Sequence, residues 1–234
     1  MKKIALILFF IFIISKLFCV SQFACIFTLL NPSATDVAFG LDSGTANIWN
    51  TNPLSVWSNP AKLGYHKGFA FGYSHDLWFE DVPGINDMYL RSSYVSFGWN
   101  GIGILLPALC SNGRLGTCMD YGEQEEYDED GNYLGSFSAY ESDTKFAIGI
   151  NTLEIISNLI KNRQLTFLQN CADLSLGYNY DIIYSKLGYK GKSFSTGIGG
   201  IFRLSLSKFF EDFDNLFTLD LASGVYLLNP SKLR

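Results

Sequence analysis

The sequence predicts an all-β fold: an antiparallel transmembrane β-barrel, incomplete at its carboxyl end, preceded by a segment of short helices and loops. Three observations carry this expectation. The amino terminus reads as an export signal, the composition joins many aromatics and glycines to few charges, and the chain beyond residue 65 alternates in period two.

Lys2 and Lys3 precede an apolar run from Ile4 to Ile14, followed by Ser15, Lys16 and Cys19-Val20-Ser21. A positive start, a short apolar stretch and a small-residue exit describe a secretory signal peptide over residues 1–21. The run is too short to span a bilayer, which takes about 20 apolar residues. Cleavage is placed after Ser21. A lipid-modified Cys25 would need a Leu-like residue where Gln22 stands, so lipidation is disfavoured.

Removing residues 1–21 takes away three lysines and no acids, so the formal charge moves from −5 to −8. An acidic chain lacks the basic surface that displaces counterions from nucleic acid, and nucleic acid is excluded as a partner. Aromatics make up 16% of the chain, glycine contributes 22 residues, and charged residues are only 17%. Globular domains carry nearer 25% charge. The balance suits a sheet with one face in lipid and aromatic girdles at the interfaces.

Residues 22–64 are rich in Asn, Ser, Thr, Gly and Pro and show no strand-length alternation, which predicts short helices and loops. From residue 65 to 234 the pattern is that of barrel strands. Phe69, Phe71 and Tyr73 alternate with Ala70, Gly72 and Ser74; Val95, Phe97 and Trp99 alternate with small partners, and Ile102, Ile104 and Leu106 follow. The same holds for Leu174 to Tyr180, for Phe194 to Leu206, and for Phe217 to Val225. Side chains of a strand point alternately to opposite faces. Phe97, Trp99, Leu176, Tyr178, Ile198, Phe202, Leu219 and Leu221 are therefore expected on a lipid face, with Ser96, Gly177, Gly199, Arg203 and Asp220 inward. An inward Arg substitution is expected to be much cheaper than an outward one, which costs about 2–4 kcal/mol. A soluble β-sandwich gives the same alternation. The bulk of one parity and the Gly and Ser of the other favour the barrel.

Eight to ten such segments are separated by turn signals such as Asn100-Gly101 and Gly131-Asn132. Leu153, Ile156, Leu159 and Ile160 fall at helical spacing and mark either a short helix or a distorted strand between two others. The end, Asn229-Pro230-Ser231-Lys232-Leu233-Arg234, reads as a turn into further strands rather than a closing strand.

Constellations that could carry chemistry fail on spacing. Seven acids lie within Asp120–Asn132, and Asp128, Asp130 and Asn132 resemble part of a calcium loop. The acid required at its far end is missing, so a solvated hairpin tip is expected and no metal. Gly188 to Ser193 ends like a phosphate loop, yet Lys186 stands where its first glycine belongs and a strand follows. His75-Asp76 has no nucleophile elbow to serve. Cys110 and Cys118 either pair across a loop in an oxidising compartment or remain buried thiols. The expectation is a non-enzymatic protein without cofactor.

Residues 27 to 64 resemble the amino-terminal region of PorV/PorQ-type outer-membrane proteins, members of the FadL-like barrel superfamily. The matching marks are Ala34, Ala38 and Gly40, then Asn59, Pro60 and Ala61 followed by Leu63. The chain departs from the pattern at Lys62, where the family has glycine, and over Leu41–Ile48, where it is richer in Gly and Ala. Looser likeness continues through Leu174–Tyr180 and Asp220–Tyr226. The resemblance implies a plug of residues 22–64 folded inside the barrel, with Asn59, Pro60, Ala61 and Leu63 as its structural motif. It implies residence in the outer membrane, amid its lipid, and a part in type IX protein secretion, with secretion-system proteins or exported cargo as partners. A FadL-like channel for hydrophobic small molecules is the alternative, and a secreted soluble β-sheet surface protein is the third.

Overall fold

The structure, a computed structural model, describes residues 26–38, 50–77, 88–160, 171–187, 190–205 and 220–230. The signal segment, Leu219 and the last four residues lie outside them, as do the side chains of Asp220 and Leu221, and so do the expectations placed there.

Among the described residues nine strands form one antiparallel sheet: β1 (Gly68–Leu77), β2 (Tyr89–Trp99), β3 (Ile102–Pro107), β4 (Leu109–Ser111), β5 (Arg114–Tyr127), β6 (Tyr133–Asn151), β7 (Ala172–Lys186), β8 (Lys190–Ser205) and β9 (Asp220–Pro230). Neighbours in sequence are neighbours in space, with one irregularity. β3 and β5 share a single slot between β2 and β6. β3 pairs with residues 94–99 of β2, β5 with residues 89–93, and both pair with β6. The chain leaves the slot through β4, which pairs only with β5 among the described residues. At the margins, β1 pairs with β2 and β9 with β8, and no pairing joins β1 to β9 among the described residues.

Two hairpin turns follow from sequence. Asn100 and Gly101 both have positive φ, 50° and 81°, and join β2 to β3 in the two-residue geometry whose twist matches that of the strands. At the β5–β6 tip, the Asp128 carboxylate accepts from the backbone N–H of Asp130 and Asn132 at 3.0 and 2.7 Å and from Asn132 Nδ2 at 2.8 Å. Both Asp128 oxygens are used within the turn, and those bonds hold its carboxyl below its ordinary range. The ambiguous stretch after β6 is a helix, Thr152–Ile160, begun by Asn151, whose side chain accepts from the Glu154 N–H at 3.0 Å.

The strands present one bare face and one covered face. On the bare face stand Phe97, Trp99, Leu176, Tyr178, Ile198 and Phe202, all exposed; on the other, Ser96, Gly177 and Gly199 are buried, and Arg203 is half-buried against Asp173 at 3.6 Å. Exposure of bulky apolar groups is large, 70% for Phe69, 69% for Trp99 and 60% for Ile198, so this is a continuous apolar surface rather than scattered side chains. On β7 it runs from Leu174 to Ile182, roughly 26 Å at ~3.3 Å per residue. Toward one end it meets a level of different composition, beyond which Leu77 is again exposed. His75, Arg91, Cys118, Ser142, Tyr184 and Lys192 are successive register partners across six strands, and they form a polar row bounding the apolar band.

Replacing Gly101 with alanine forces a β-carbon into left-handed backbone and within about 3.0 Å of the Glu154 side chain. A loss of about 1–3 kcal/mol is expected, read as a lower urea midpoint of the folded protein, with Gly113 (open space around it) showing the backbone penalty alone.

Candidate functional site: the inner segment on the sheet

The segment between Asn50 and His66 lies on the covered face in two 3₁₀ turns, Pro53–Trp57 and Pro60–Tyr65. Each begins with an Asn-Pro pair. The proline supplies a fixed φ and needs no N–H partner, and the preceding Asn caps the turn. Asn52 accepts from the Leu54 N–H at 3.0 Å and Asn59 from the Ala61 N–H at 2.9 Å. Asn59 is extended, φ −165° and ψ 115°, as a following proline ring requires.

Asn59, Pro60, Ala61 and Leu63 are thus brought together in one buried turn. Asn59 Nδ2 donates to Gly200 O at 3.5 Å, and Ser175 Oγ donates to Ala61 O at 2.6 Å, tying the turn to β8 and β7. Leu63 enters a core with Leu54, Val56, Tyr94, Leu105 and Ala147. Ala61 packs on Ile201 beside Tyr65, whose hydroxyl donates to Asp173.

What receives the turn is a row of glycines. Gly98, Gly103, Gly149, Gly177 and Gly199 are register partners in sequence across five strands. A β-carbon at any of them would collide with the segment: at Gly98 with His66 O, at Gly103 with Leu63 O, at Gly177 with Ala61 N, at Gly199 with the Asn59 side chain. At Gly149 it would lie 2.6 Å from Leu63 Cβ and 2.7 Å from Gly64 N. The backbone of the segment therefore rests on the backbone of the sheet. This corrects the expectation that inward changes are cheap: along this row the covered face has no room for a side chain.

Lys62, the departure from the family pattern, is fully buried. Its ammonium donates to Asp36 Oδ2 at 3.0 Å and to Ser58 Oγ at 2.9 Å. Asn50 Nδ2 reaches the other Asp36 oxygen at 3.1 Å, and Asp36 itself sits in the short helix Ala34–Ala38. Burial pushes the Lys62 ammonium below its usual range and Asp36 pulls it back. Further up the same face, Lys145 Nζ pairs with Asp181 at 3.0 Å and lies 4.7 Å from the Trp57 ring, a second charged tie to the segment. Asn179 donates to Asp181 at 2.7 Å, and Tyr121 and Ser185 donate to buried Glu141 at 2.7 and 2.9 Å. The covered face is polar above the segment, where Asp143, Ser193 and Ser195 are also buried.

The other motifs stay apart from this site. His75 Nε2 is 3.3 Å from Arg91 Nη2 and its ring meets Tyr89 edge-on, with no nucleophile joined to it. Lys190–Ser193 open β8 and Gly197–Gly200 lie within it. Among the described residues no group of three His, Cys, Asp or Glu side chains could hold a metal ion, and no helix is long and apolar enough to cross a membrane, which says nothing of crossing by strands. The glycine row and the Asp36–Lys62 pair escaped sequence reasoning. The row was accessible, since the Asn100-Gly101 turn alone aligns Gly98 with Gly103. The ion pair left no signal, being two residues from separate turns. The chain matches no protein-family model and no curated protein sequence.

Two outcomes follow. Gly177→Ala places a β-carbon against the Ala61 backbone and should expose the buried Lys62–Leu63 bond to trypsin, whereas Gly200→Ala, whose added carbon meets only Leu176 Cδ2 at 3.8 Å, should leave it protected. Lys62→Met leaves Asp36 buried without its cation and should cost about 3–5 kcal/mol, while the double change Lys62→Met with Asp36→Leu should recover most of that in a urea titration.

Proposed function

We propose that this chain is a non-enzymatic outer-membrane β-barrel protein of PorV/PorQ type, exported through residues 1–21, whose segment 22–64 is the barrel's plug and whose task is protein secretion or cargo handling. The single observation that carries the reading is the distribution of polarity. The face away from the segment is apolar and aromatic over residues Leu174–Ile182 of β7, close to the roughly 9–11 residues with which a tilted strand crosses a bilayer, and a row of polar residues spanning six strands lies at its end. A soluble β-protein places polar residues on the face it turns to water. Small residues and buried charged pairs occupy the opposite face, as a plugged lumen requires.

The choice between secretion and passage of hydrophobic molecules rests on that inner lining. Asp143, Lys145, Asp181, Glu141 and Asn179 make it polar above the segment, which argues against a greasy conduit. Its assignment to secretion rests on the resemblance carried by Asn59, Pro60, Ala61 and Leu63.

Ile198→Arg separates the membrane reading from the soluble one. In lipid vesicles the substitution should cost about 2–4 kcal/mol, against little for Leu134→Arg on the β5–β6 hairpin beyond the polar row. Equal, near-zero costs at both positions, with the protein remaining in the aqueous phase, would favour a soluble surface protein. Co-purification of secretion-system components with the full-length protein from its native membrane tests the role itself.

A further inference from the structure

Two thiols meet at the polar row, Cys118 within it and Cys110 on β4, and the proposed function uses neither. Cys118 lies on the bare face of β5, opposite Arg91 on one side and Ser142 on the other, yet it is fully buried. What buries it is the detour through β4. Ala108 N–H donates to Ser93 O at 2.9 Å and Gly116 N–H to Ala108 O at 2.9 Å, so the detour folds back over the sheet. Arg91 Nη1 donates to Cys110 O at 3.3 Å and the Tyr89 hydroxyl meets Ser111 Oγ at 2.8 Å, so the fold-back is pinned from β2. In that position the Cys110 thiol hydrogen-bonds the Cys118 sulfur. Arg114 Nη1 donates to the same sulfur at 3.2 Å and to Asp120 at 3.2 Å, with its guanidinium 3.3 Å from the centre of the Tyr140 ring.

We propose that Cys110 and Cys118 are a disulfide-forming pair, oxidised during export by a disulfide-donating thiol oxidant, and that the bond locks the β4 detour onto the bare face. Cys110 and Cys118 both adjoin Arg91, one through its carbonyl at 3.3 Å and the other as its register partner, so hydrogen-bonded thiols on these two packed elements need little backbone movement to join. Cys171 is buried at the start of β7, at the far end of that strand from the level of Cys118, so it does not compete. The chemistry is two successive exchanges. One cysteine thiolate attacks the donor disulfide and releases a donor thiolate; the second attacks the mixed disulfide and releases the other. Two cysteine thiols and one donor disulfide become one protein disulfide and two donor thiols, with two electrons and two protons passing to the donor. Because both sulfurs end up buried, exchange occurs before the detour closes, and the finished bond is shielded from reductant. The proposal holds whether or not the apolar face meets lipid.

Arg114 lies between the two cysteines, which makes the bond readable by trypsin. The full-length protein, isolated from an exporting host without reductant and alkylated in denaturant, should yield the peptides Ser92–Arg114 and Leu115–Lys145 joined, two hydrogens lighter than their sum. They should separate on reduction. The same chain, refolded with oxidised and reduced glutathione, should form the same linkage, lose it in Cys110→Ser and keep it in Cys171→Ser. In the folded protein, reductant alone should leave the linkage intact, and reductant with denaturant should break it. Alkylation of both Cys110 and Cys118 without prior reduction, in both preparations, overturns the proposal, and so does linkage of either one to Cys25, Cys171 or glutathione.

Discussion

The structure depends on backbone resting against backbone. Five glycines in register let the turn Pro60–Tyr65 approach the sheet until peptide groups, rather than side chains, are in contact. A protein interior is normally filled by interlocking side chains, and its density falls where one is missing. Here the missing side chains on the sheet are replaced by main chain of another segment. Such contact is intolerant in one direction only: nothing can be added on either surface. It also explains why the segment is built from Asn-Pro turns, which fix a short rigid path without needing the hydrogen-bond ladder of a longer helix.

Close approach leaves polar groups stranded away from water, and the fold answers with paired charges. Asp36 and Lys62 neutralise each other beneath the segment, while Lys145 and Asp181 do so above it and reach Trp57. Pairs of this kind are weak sources of stability, because desolvation offsets most of their attraction, but each is strict about geometry. Together with Ser175 on Ala61 O and Asn59 on Gly200 O, they set where along the sheet the segment sits. Apart from the small core around Leu63, the bulky apolar side chains of the strands stand on the other face. That inversion, with charge inside and aromatic rings outside, is the reverse of what water selects.

Much of this was legible in the sequence because period two is a local property. The parity of Phe97 and Trp99, or of Leu176 and Tyr178, follows from alternation alone, and the Asn100-Gly101 turn announces itself by residue type. The Asn59-Pro60-Ala61 turn was equally visible, with its extended Asn59. The helix Thr152–Ile160 was ambiguous because a few apolar residues serve either period, and the Asn151 cap that settles it is only recognisable once the strand before it ends there. The shared slot of β3 and β5 was not legible, since each strand alone looks like an ordinary neighbour of β2. Nor was the Asp36–Lys62 pair, which arises when separate elements are brought together in space, whereas the nearness of Cys110 to Cys118 was one of two readings their spacing left open.

The bond from Asn59 to Gly200 joins residues 141 positions apart, in a sheet most of whose pairings link strands consecutive in sequence. A meander of hairpins can form quickly, each strand adding to the last, because little loop entropy is lost at any step. The inner turn follows a different timetable. Its cradle is complete only when β8 has joined, so a segment made early must wait until most of the chain has been laid down. Until then the glycine level of each strand has no side chains with which to grip its neighbours, and the alignment of the sheet there rests on backbone hydrogen bonds alone. Docking of the inner turn then adds contacts to a register that hairpin turns such as Asn100-Gly101 have already set.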